Sequence, residues 1–596
     1  LEFRRVLFRS SERTFSWLYG LIVGTAAFVY VTGGAIINPT NRDWLMLGDS
    51  AQHYLGWAFF RKTPMLQWPI GANPKLGLDF ASSIVFTDSI PLVAFVFKPL
   101  SFVLPETFQY LGAWIWLCFV LQAVFGYVLL QRLVHGRALS ALAVVLVVLS
   151  PVLSYRLVHQ GYGHIALVSH FLILAALVLY LDERPRTARW AILSSCALLI
   201  QAYFVPMVAA IWLASLVRRR TPLRESAQSA VAVGGSLAFV AVVSGFASLG
   251  GRLFVGDSSV TPVDFPYRFR WQPMALVDSA TDFSSGWSRI MANQLERFGD
   301  VEGFTYLGTG LLLVLLPIVA VTLMARRSTP RDIWLTLGIV AVGAVLSPSK
   351  AFSTVVAIVL GVVLVAFAWR AFAERRHRSL VVAAGVLAIY SMTMRPGIGR
   401  RTFFEYPLIP GLEQFTQTFR THARSSWVLY YVIVIALLRF VATKVPKRAA
   451  IGVLAFAILV SVVDSNSAYS QVRHRFTSQP VWVNQLDDPL WDEVVKGRYS
   501  LITYPPLNND VEGRWIQIED YVQRRGMATN AGYFSRWNID TYVRVNQRLH
   551  DELRAGDLDP RSLYVIFDPD MWSYLSQESG KFSFIGDIDG YLVVAP

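Results

Sequence analysis

Between residues 14 and 464 the chain returns again and again to apolar stretches of helical length. A bilayer core asks for about 20 such residues per crossing helix. The stretches fall at 14–37, 106–131, 138–155, 164–182, 188–202, 204–217, 227–248, 305–325, 332–347, 351–371, 380–394, 426–442 and 448–464, thirteen in all. Hydrophobic residues make up 54% of the chain and charged residues only 16%, against about a quarter charged in an average soluble domain. An ordinary soluble enzyme, a disordered chain and a fibrous one are therefore excluded, and the expected fold class is a polytopic α-helical membrane protein. The first ten residues, LEFRRVLFRS, begin without Met and read as adaptor-derived sequence, so they are left out of the fold reading. The run 15–37 is too long for a signal-peptide core and has no small-residue cleavage site, which makes it the first span.

A formal charge of +14 suggests nucleic acid until it is divided along the chain. Residues 468–596 hold 13 Lys+Arg and 18 Asp+Glu, leaving 41 and 22 for the rest. The basic excess thus belongs to the apolar part and sits in short loops, as the positive-inside rule expects. Six loops are basic: 132–137, 184–189, 218–224, 326–331, 375–378 and 444–448. With the N-terminus inside, the thirteen spans put all six on the cytoplasmic side and residues 468–596 outside. The apolar segment 89–104 (SIPLVAFVFKPLSFVL) is short and carries Lys98-Pro99. Counting it as a span would move every later basic loop outside, so it reads as an interfacial helix, broken by the Pro with the Lys98 head snorkelling to water. The segments 38–88, 249–304 and 395–425 then share the outer face with the C-terminal region. Cys118 and Cys196 lie apart within apolar runs and imply neither a disulfide framework nor a metal cluster.

Chemistry-bearing residues gather in those outer segments. In GDSAQHY, Asp49 and His53 stand four apart on an expected short helix whose other face carries Leu55, Trp57 and Phe59. A carboxylate beside an imidazole suits proton abstraction or cation holding, while Gly-Asp-Ser equally suits a helix cap at Asp49. Asp88, in FTDSIP, can likewise cap the interfacial helix, or serve as a second acid at membrane depth. The run YRLVHQGYGH brings His159 and His164 to the outer rim, with His170 just inside the following helix. Their spacings are poor for zinc, and orienting a substrate hydroxyl or phosphate fits better. In FTQTFRTHARSSW, Arg420 and Arg424 are four apart, with His422 between them. On a helix this pair can clamp one phosphate, helped by Arg395, Arg400 and Arg401 upstream. Lipid headgroups or outer acids are their alternative partners.

From about residue 468 the apolar runs stop. Segments 499–504 (YSLITY) and 563–567 (LYVIF) read as buried strands, 519–526 and 538–555 as helices, and 582–585 with 591–595 as a hairpin about Asp589-Gly590. This is a small α/β domain. Its Tyr504-Pro505-Pro506, Trp515, Tyr533 and Trp537 are candidates for stacking on sugar rings, or core. Neither GxGxxG after a strand nor a Walker A motif occurs, which argues against nucleotide-driven chemistry.

A first span followed by an outer loop with an Asp (Asp49), a juxtamembrane helix with Lys98-Pro99, a polar motif after the third span and an outer soluble domain together resemble the GT-C superfamily of membrane glycosyltransferases. TDSIPL, HQGYGH, FRTHARSSW and TNAGYFSRWN look like a bacterial family of GT-C-like integral membrane proteins with a periplasmic C-terminal domain. The resemblance implies a transmembrane domain over 11–467 and a periplasmic domain over 468–596. It also implies transfer of a sugar from a polyprenyl-phosphate donor to a cell-envelope glycan, lipid or protein acceptor at the periplasmic face of the inner membrane. Asp49 would be the catalytic carboxylate, with His53 and Asp88 beside it. Arg420, His422, Arg424 and Lys98 would hold the donor phosphate, and His159, His164 and His170 would orient substrate. Many GT-C members carry two acids within three residues in this loop, whereas Ser50 and Ala51 follow Asp49 here. A second-acid role therefore shifts to Asp88 or Asp43, and a divalent cation, held by Asp49 and Asp88, is an open expectation rather than a defined cofactor. The competing readings are a transporter or flippase of lipid-linked precursors and an O-antigen polymerase or ligase.

Overall fold

The computed structural model describes residues 2–80, 83–134, 136–158, 163–246, 269–279, 286–291, 300–325, 350–373, 375, 377–398, 401–407, 413–507, 510, 512–533 and 539–596. His159, Arg400, Trp537, the span 332–347, the basic loop 326–331 and most of the outer loop 249–304 lie outside the described residues. The protein is predominantly helical. Among the described residues, seven helices are long and apolar enough to cross a membrane: Thr14–Thr32, Leu111–Leu133, Arg137–Tyr155, Leu223–Ser244, Val355–Ala373, His422–Lys444 and Lys447–Thr477. Five more of the expected spans are helical but shorter: Ile165–Tyr180, Thr187–Ile200, Phe204–Arg218, Gly310–Leu323 and Arg378–Ser391. At 1.5 Å per residue, a helix of about 15 residues reaches roughly 22 Å, less than a bilayer core of about 30 Å.

The chain divides into two compact units. The first comprises residues 1–37, 112–237 and 264–478. Here the N-terminal helix Glu2–Thr32 packs closely on Leu111–Leu133, since a Cβ at Gly24 would meet the backbone of Phe119 and Val120. Polar groups tie helices together between apolar faces. Tyr19 Oη donates to the Ala141 carbonyl (2.6 Å), Gln122 Nε2 to Tyr431 Oη (2.9 Å), and Tyr469 Oη to the Leu149 carbonyl (2.6 Å). Asp464, in the helix Lys447–Thr477, accepts from the Arg289 amide (2.9 Å) and from Thr309 Oγ1.

The second unit comprises residues 38–111, 238–263 and 479–596. Its five-stranded sheet runs, edge to edge, Ala528–Thr529, Ser500–Tyr504, Ser562–Ile566, Tyr591–Ala595, Phe584–Ile588. The first three strands are parallel and the last two form an antiparallel hairpin. The expected strands at 499–504, 563–567 and 591–595 and the 538–555 helix form within a residue of their expected limits, while the strand expected at 582–585 is displaced to Phe584–Ile588. The expected 519–526 helix begins earlier, as Arg514–Arg524, where Asp510 accepts from the Arg514 and Trp515 amides of its first turn (3.0 and 3.1 Å). The domain also begins later than residue 468, since the helix Lys447–Thr477 runs thirteen residues past the expected end of the last span, at 464, before this unit resumes at 479.

The first loop is part of this same fold. Phe59 and Leu76 lie in the core beneath the sheet with Trp491, Leu501, Ile518, Val522 and Leu563. Leu76 bridges in parallel to Thr529, and Lys75 and Gly77 exchange main-chain hydrogen bonds with Thr529 (3.0 and 2.8 Å), extending the sheet at its edge. Arg42 pairs with the fully buried Asp520, which Arg524 also engages. Gly56 sits on the helix Gly48–Phe60 where a Cβ would collide with Thr87 and Ser89. Gly56→Val should therefore lower stability by about 1–3 kcal/mol, read as an earlier thermal unfolding transition of the purified protein in detergent.

Candidate functional site

The helix Gly48–Phe60 starts from Leu47 in extended conformation, with no side-chain cap. Asp49 is therefore not the capping residue. It lies half-buried in the first turn, where a carboxylate meets the positive helix end. The cap expected at Asp88 is also absent, because the helix Pro91–Phe97 is preceded by Ile90. Asp88 and Ile90 instead both adopt left-handed backbone angles, φ 53° each, a conformation Asp tolerates but a β-branched residue rarely takes. Ser89 between them is pinned: its Oγ donates to the His53 carbonyl (2.7 Å), and its own carbonyl accepts from Tyr110 Oη. The turn that carries Asp88 is thus locked to the helix that carries Asp49.

His53 lies one turn after Asp49, 1% exposed, and its Nδ1 has no hydrogen-bond partner among the described residues. Burial pushes its pKa down to about 4, while the negative charge of Asp88 pulls the other way. The ring is neutral at pH 7 and shielded from solvent. A ring so placed can orient a neighbouring carboxylate. Gln52, the preceding residue, donates from Nε2 to the carbonyls of Phe86 (3.3 Å) and Tyr533 (2.7 Å), joining the helix to the Asp88 turn and to the sheet domain. Asp43 accepts from the Trp482 amide (3.1 Å).

Lys98 differs from expectation. Its ammonium turns inward, donating to Thr63 Oγ1 (2.7 Å) and the Pro64 carbonyl (3.0 Å) over the Phe60 ring, and burial lowers its pKa to about 8. The side chain is 4% exposed, so it neither snorkels nor offers itself to a phosphate. Tyr504, Trp515 and Tyr533 likewise serve the domain interior. Trp515 is buried against Tyr533, and Tyr504 Oη bonds His550 Nδ1 (2.8 Å).

In the first unit the arginine pair is rearranged. The helix Glu413–Thr418 ends before Arg420, and His422–Ser426 is a separate turn of tighter helix. Arg420 and Arg424 are therefore not neighbours on one helical face. Arg420 is half-buried, while Arg424 is inside, with Nε and an Nη on the two oxygens of Glu302 (3.1 and 2.9 Å) and its guanidinium over Tyr203. Arg156, fully buried, reaches the same carboxylate (2.9 Å) and the Glu302 carbonyl (2.8 Å). One carboxylate thus joins two of the segments singled out by sequence, which spacing alone did not reveal. Glu302, in DVEG, carried no local signal of this role.

The histidines separate. His170 precedes the helix Phe171–Tyr180 as its cap residue; its Nδ1 meets Tyr431 Oη (3.0 Å) and its ring lies on Trp427 (4.3 Å). His422 Nε2 bonds the Thr416 carbonyl (3.2 Å) and its ring packs on Tyr390. Both are about 1% exposed or less. His164 is half-buried, with its amide on the Arg156 carbonyl (2.7 Å). Among the described residues no group of three or more His, Cys, Asp or Glu is placed to hold a metal ion.

A predominantly helical chain with several helices of membrane length and a small sheet domain is the class these features define. The chain belongs to the family described as a domain of unknown function (DUF6311), whose model matches residues 21–364 and 354–466, and the C-terminal domain of that family matches 490–596. No curated protein matches it.

Two outcomes follow from the buried charges. Glu302→Gln leaves Arg156 and Arg424 without their shared anion, and breaking a buried pair costs about 3–5 kcal/mol; the purified variant should unfold well below wild type in detergent. His53 binds its proton more weakly folded (pKa about 4) than unfolded (6.5). Its contribution is complete above pH 6.5 and is lost as pH falls towards 4, by up to roughly 3 kcal/mol. Wild type should therefore lose more melting temperature between pH 7 and pH 4.5 than His53→Leu does.

Proposed function

We propose that the protein is a GT-C-type glycosyltransferase that moves a sugar from a polyprenyl-phosphate donor to a cell-envelope acceptor at the periplasmic face of the inner membrane. The observation that carries this reading is the arrangement around the helix Gly48–Phe60. Two half-buried carboxylates, Asp49 one turn before a neutral histidine on the same helix and Asp88 near enough for its charge to act on that ring, lie in the loop that follows the first apolar helix. In this reading Asp49 accepts the proton of the acceptor hydroxyl as its oxygen bonds the sugar C1. The C1–O bond to phosphate breaks, and polyprenyl phosphate leaves with the electron pair. Of the cations assigned to the donor phosphate, Arg420 is half-buried, Arg424 pairs with Glu302 and Lys98 donates to Thr63. Arg424 then acts through the Glu302 tie.

The thirteen-span topology belongs to the same proposal. Thr187–Ile200 and Phe204–Arg218 are short and consecutive. Whether they cross singly or dip together as a hairpin, the number of crossings changes by two, and every basic loop keeps its side. The deeply buried Arg156–Glu302–Arg424 cluster is the feature that favours the second reading, a transporter of lipid-linked precursors.

Proteoliposomes supplied with a panel of polyprenyl-phosphate sugars separate the two. Wild type should release polyprenyl phosphate, and Asp49→Asn should slow the release by about 10²- to 10⁴-fold. Turnover untouched by Asp49→Asn, or movement of donor across the bilayer without cleavage, would overturn the transferase reading.

A further inference from the structure

Residues 38–111 leave two runs of large apolar side chains in solvent. One is the turn bearing Met65, Leu66, Trp68 and Ile70; the other follows the helix Pro91–Phe97 and bears Val96, Leu100, Phe102 and Val103. Leu66 is 95% exposed, Phe102 85% and Trp68 66%. Bare apolar groups in such concentration mark an interaction surface.

Two cations bind the runs into one framework. Lys98, beside the second run, donates to Thr63 and Pro64 at the start of the first. Arg61, at the base of the first, donates to the carbonyls of Ser101, Leu104, Pro105 and Glu106 at 2.7–3.1 Å. Both positive charges are spent inward, and 65–70 (MLQWPI) and 99–105 (PLSFVLP) contain no charged residue.

Each run also sits at the end of a membrane-length helix. The Ile70 amide donates to the Val243 carbonyl (3.0 Å) and Ser83 Oγ to the Ser244 carbonyl (3.2 Å), at the C-terminal end of Leu223–Ser244. Phe97 stacks on Tyr110 (5.6 Å), the residue before the helix Leu111–Leu133.

We propose that residues 65–70 and 96–103 insert together among the acyl chains of the adjoining leaflet, with Trp68 at the headgroup boundary where aromatic rings concentrate. Lipid hydrocarbon is the partner because the surface continues directly from helices of membrane length and carries no charge that a protein partner would read. The inference rests on those helices crossing a bilayer and is independent of the transferase reading.

The test uses the full chain with Cys196→Ser, Cys118 being buried. Leu66→Cys, Phe102→Cys and, as an exposed reference in the helix Ile539–Ala555, Val543→Cys are labelled with an environment-sensitive fluorophore and reconstituted in phosphatidylcholine–phosphatidylglycerol vesicles. All three positions are exposed, so the substitutions leave the core intact. Nitroxides on the acyl chains should quench at 66 and 102 at least about threefold more than at 543, with aqueous iodide showing the reverse order. Iodide reaching 66 and 102 as readily as 543 would overturn the proposal. So would protection from both quenchers, which would mean that protein, such as a second copy of the chain, covers the surface. Quenching at only one of the two positions would overturn the joint insertion.

Discussion

Phe59 and Leu76, from the first loop, are buried in a core whose other members all lie beyond residue 485. Everything in the second unit depends on that pairing of distant segments. A loop of residues 38–111 has too few apolar groups of its own to repay the entropy of ordering its backbone, and the sheet domain leaves its short edge strand Ala528–Thr529 unpaired on one side. Each supplies what the other lacks: Leu76 enters the core as Lys75 and Gly77 close the edge of the sheet. The long chain between them adds little, since closure entropy grows only with the logarithm of loop length. The helix bearing Asp49 and His53 therefore owes its position to residues more than 400 places later.

Buried ion pairs perform the same service for the apolar unit. Lipid-exposed helices gain little from the hydrophobic effect against one another, and their register is set by small residues and polar contacts. Gly24 against the Phe119–Val120 backbone is one such contact. Glu302 between Arg156 and Arg424, Arg270 with Asp300, and Asp464 with Thr309 and the Arg289 amide are others. All of them join segments far apart in sequence. Such pairs contribute little net stability over apolar packing, but they penalise any arrangement that separates them, and so select one arrangement among many of similar apolar burial.

That distance explains what could be read from the sequence. Hydropathy and strand alternation are local, and so every expected span that falls on described residues is helical and the strands at 499–504, 563–567 and 591–595 are in place. Side-chain commitments are not local. Asp49 and His53 share a helix as their spacing implies, but whether Asp49 caps it depends on Leu47, and the burial of His53 depends on the turn at residues 87–90. Lys98 could reach water by its length, yet Thr63 and Pro64 offer it oxygens on the inside. Arg420 and Arg424 have helical spacing without a helix, because the chain breaks at 419–421 so that Arg424 can meet Glu302, 122 residues earlier. No pattern in FTQTFRTHARSSW or in DVEG announces the other.

The turn at residues 88–90 shows where stability has been given up. A left-handed β-branched residue costs on the order of 1–3 kcal/mol, and a Gly or Asn at position 90 would avoid most of that cost. The surrounding structure offsets it: Ile90 is wholly buried, Ser89 is held through its hydroxyl and its carbonyl, Gly56 leaves the space that brings Thr87 and Ser89 against the helix, and Pro91 begins the next helix with its φ already fixed. The effect of all four is to fix Asp88 beside a histidine kept neutral by burial. Asp88 does not cap the helix that starts three residues later, whose cap position is Ile90. Strain that four separate contacts maintain around one half-buried acid is the kind of arrangement expected where the acid itself is used.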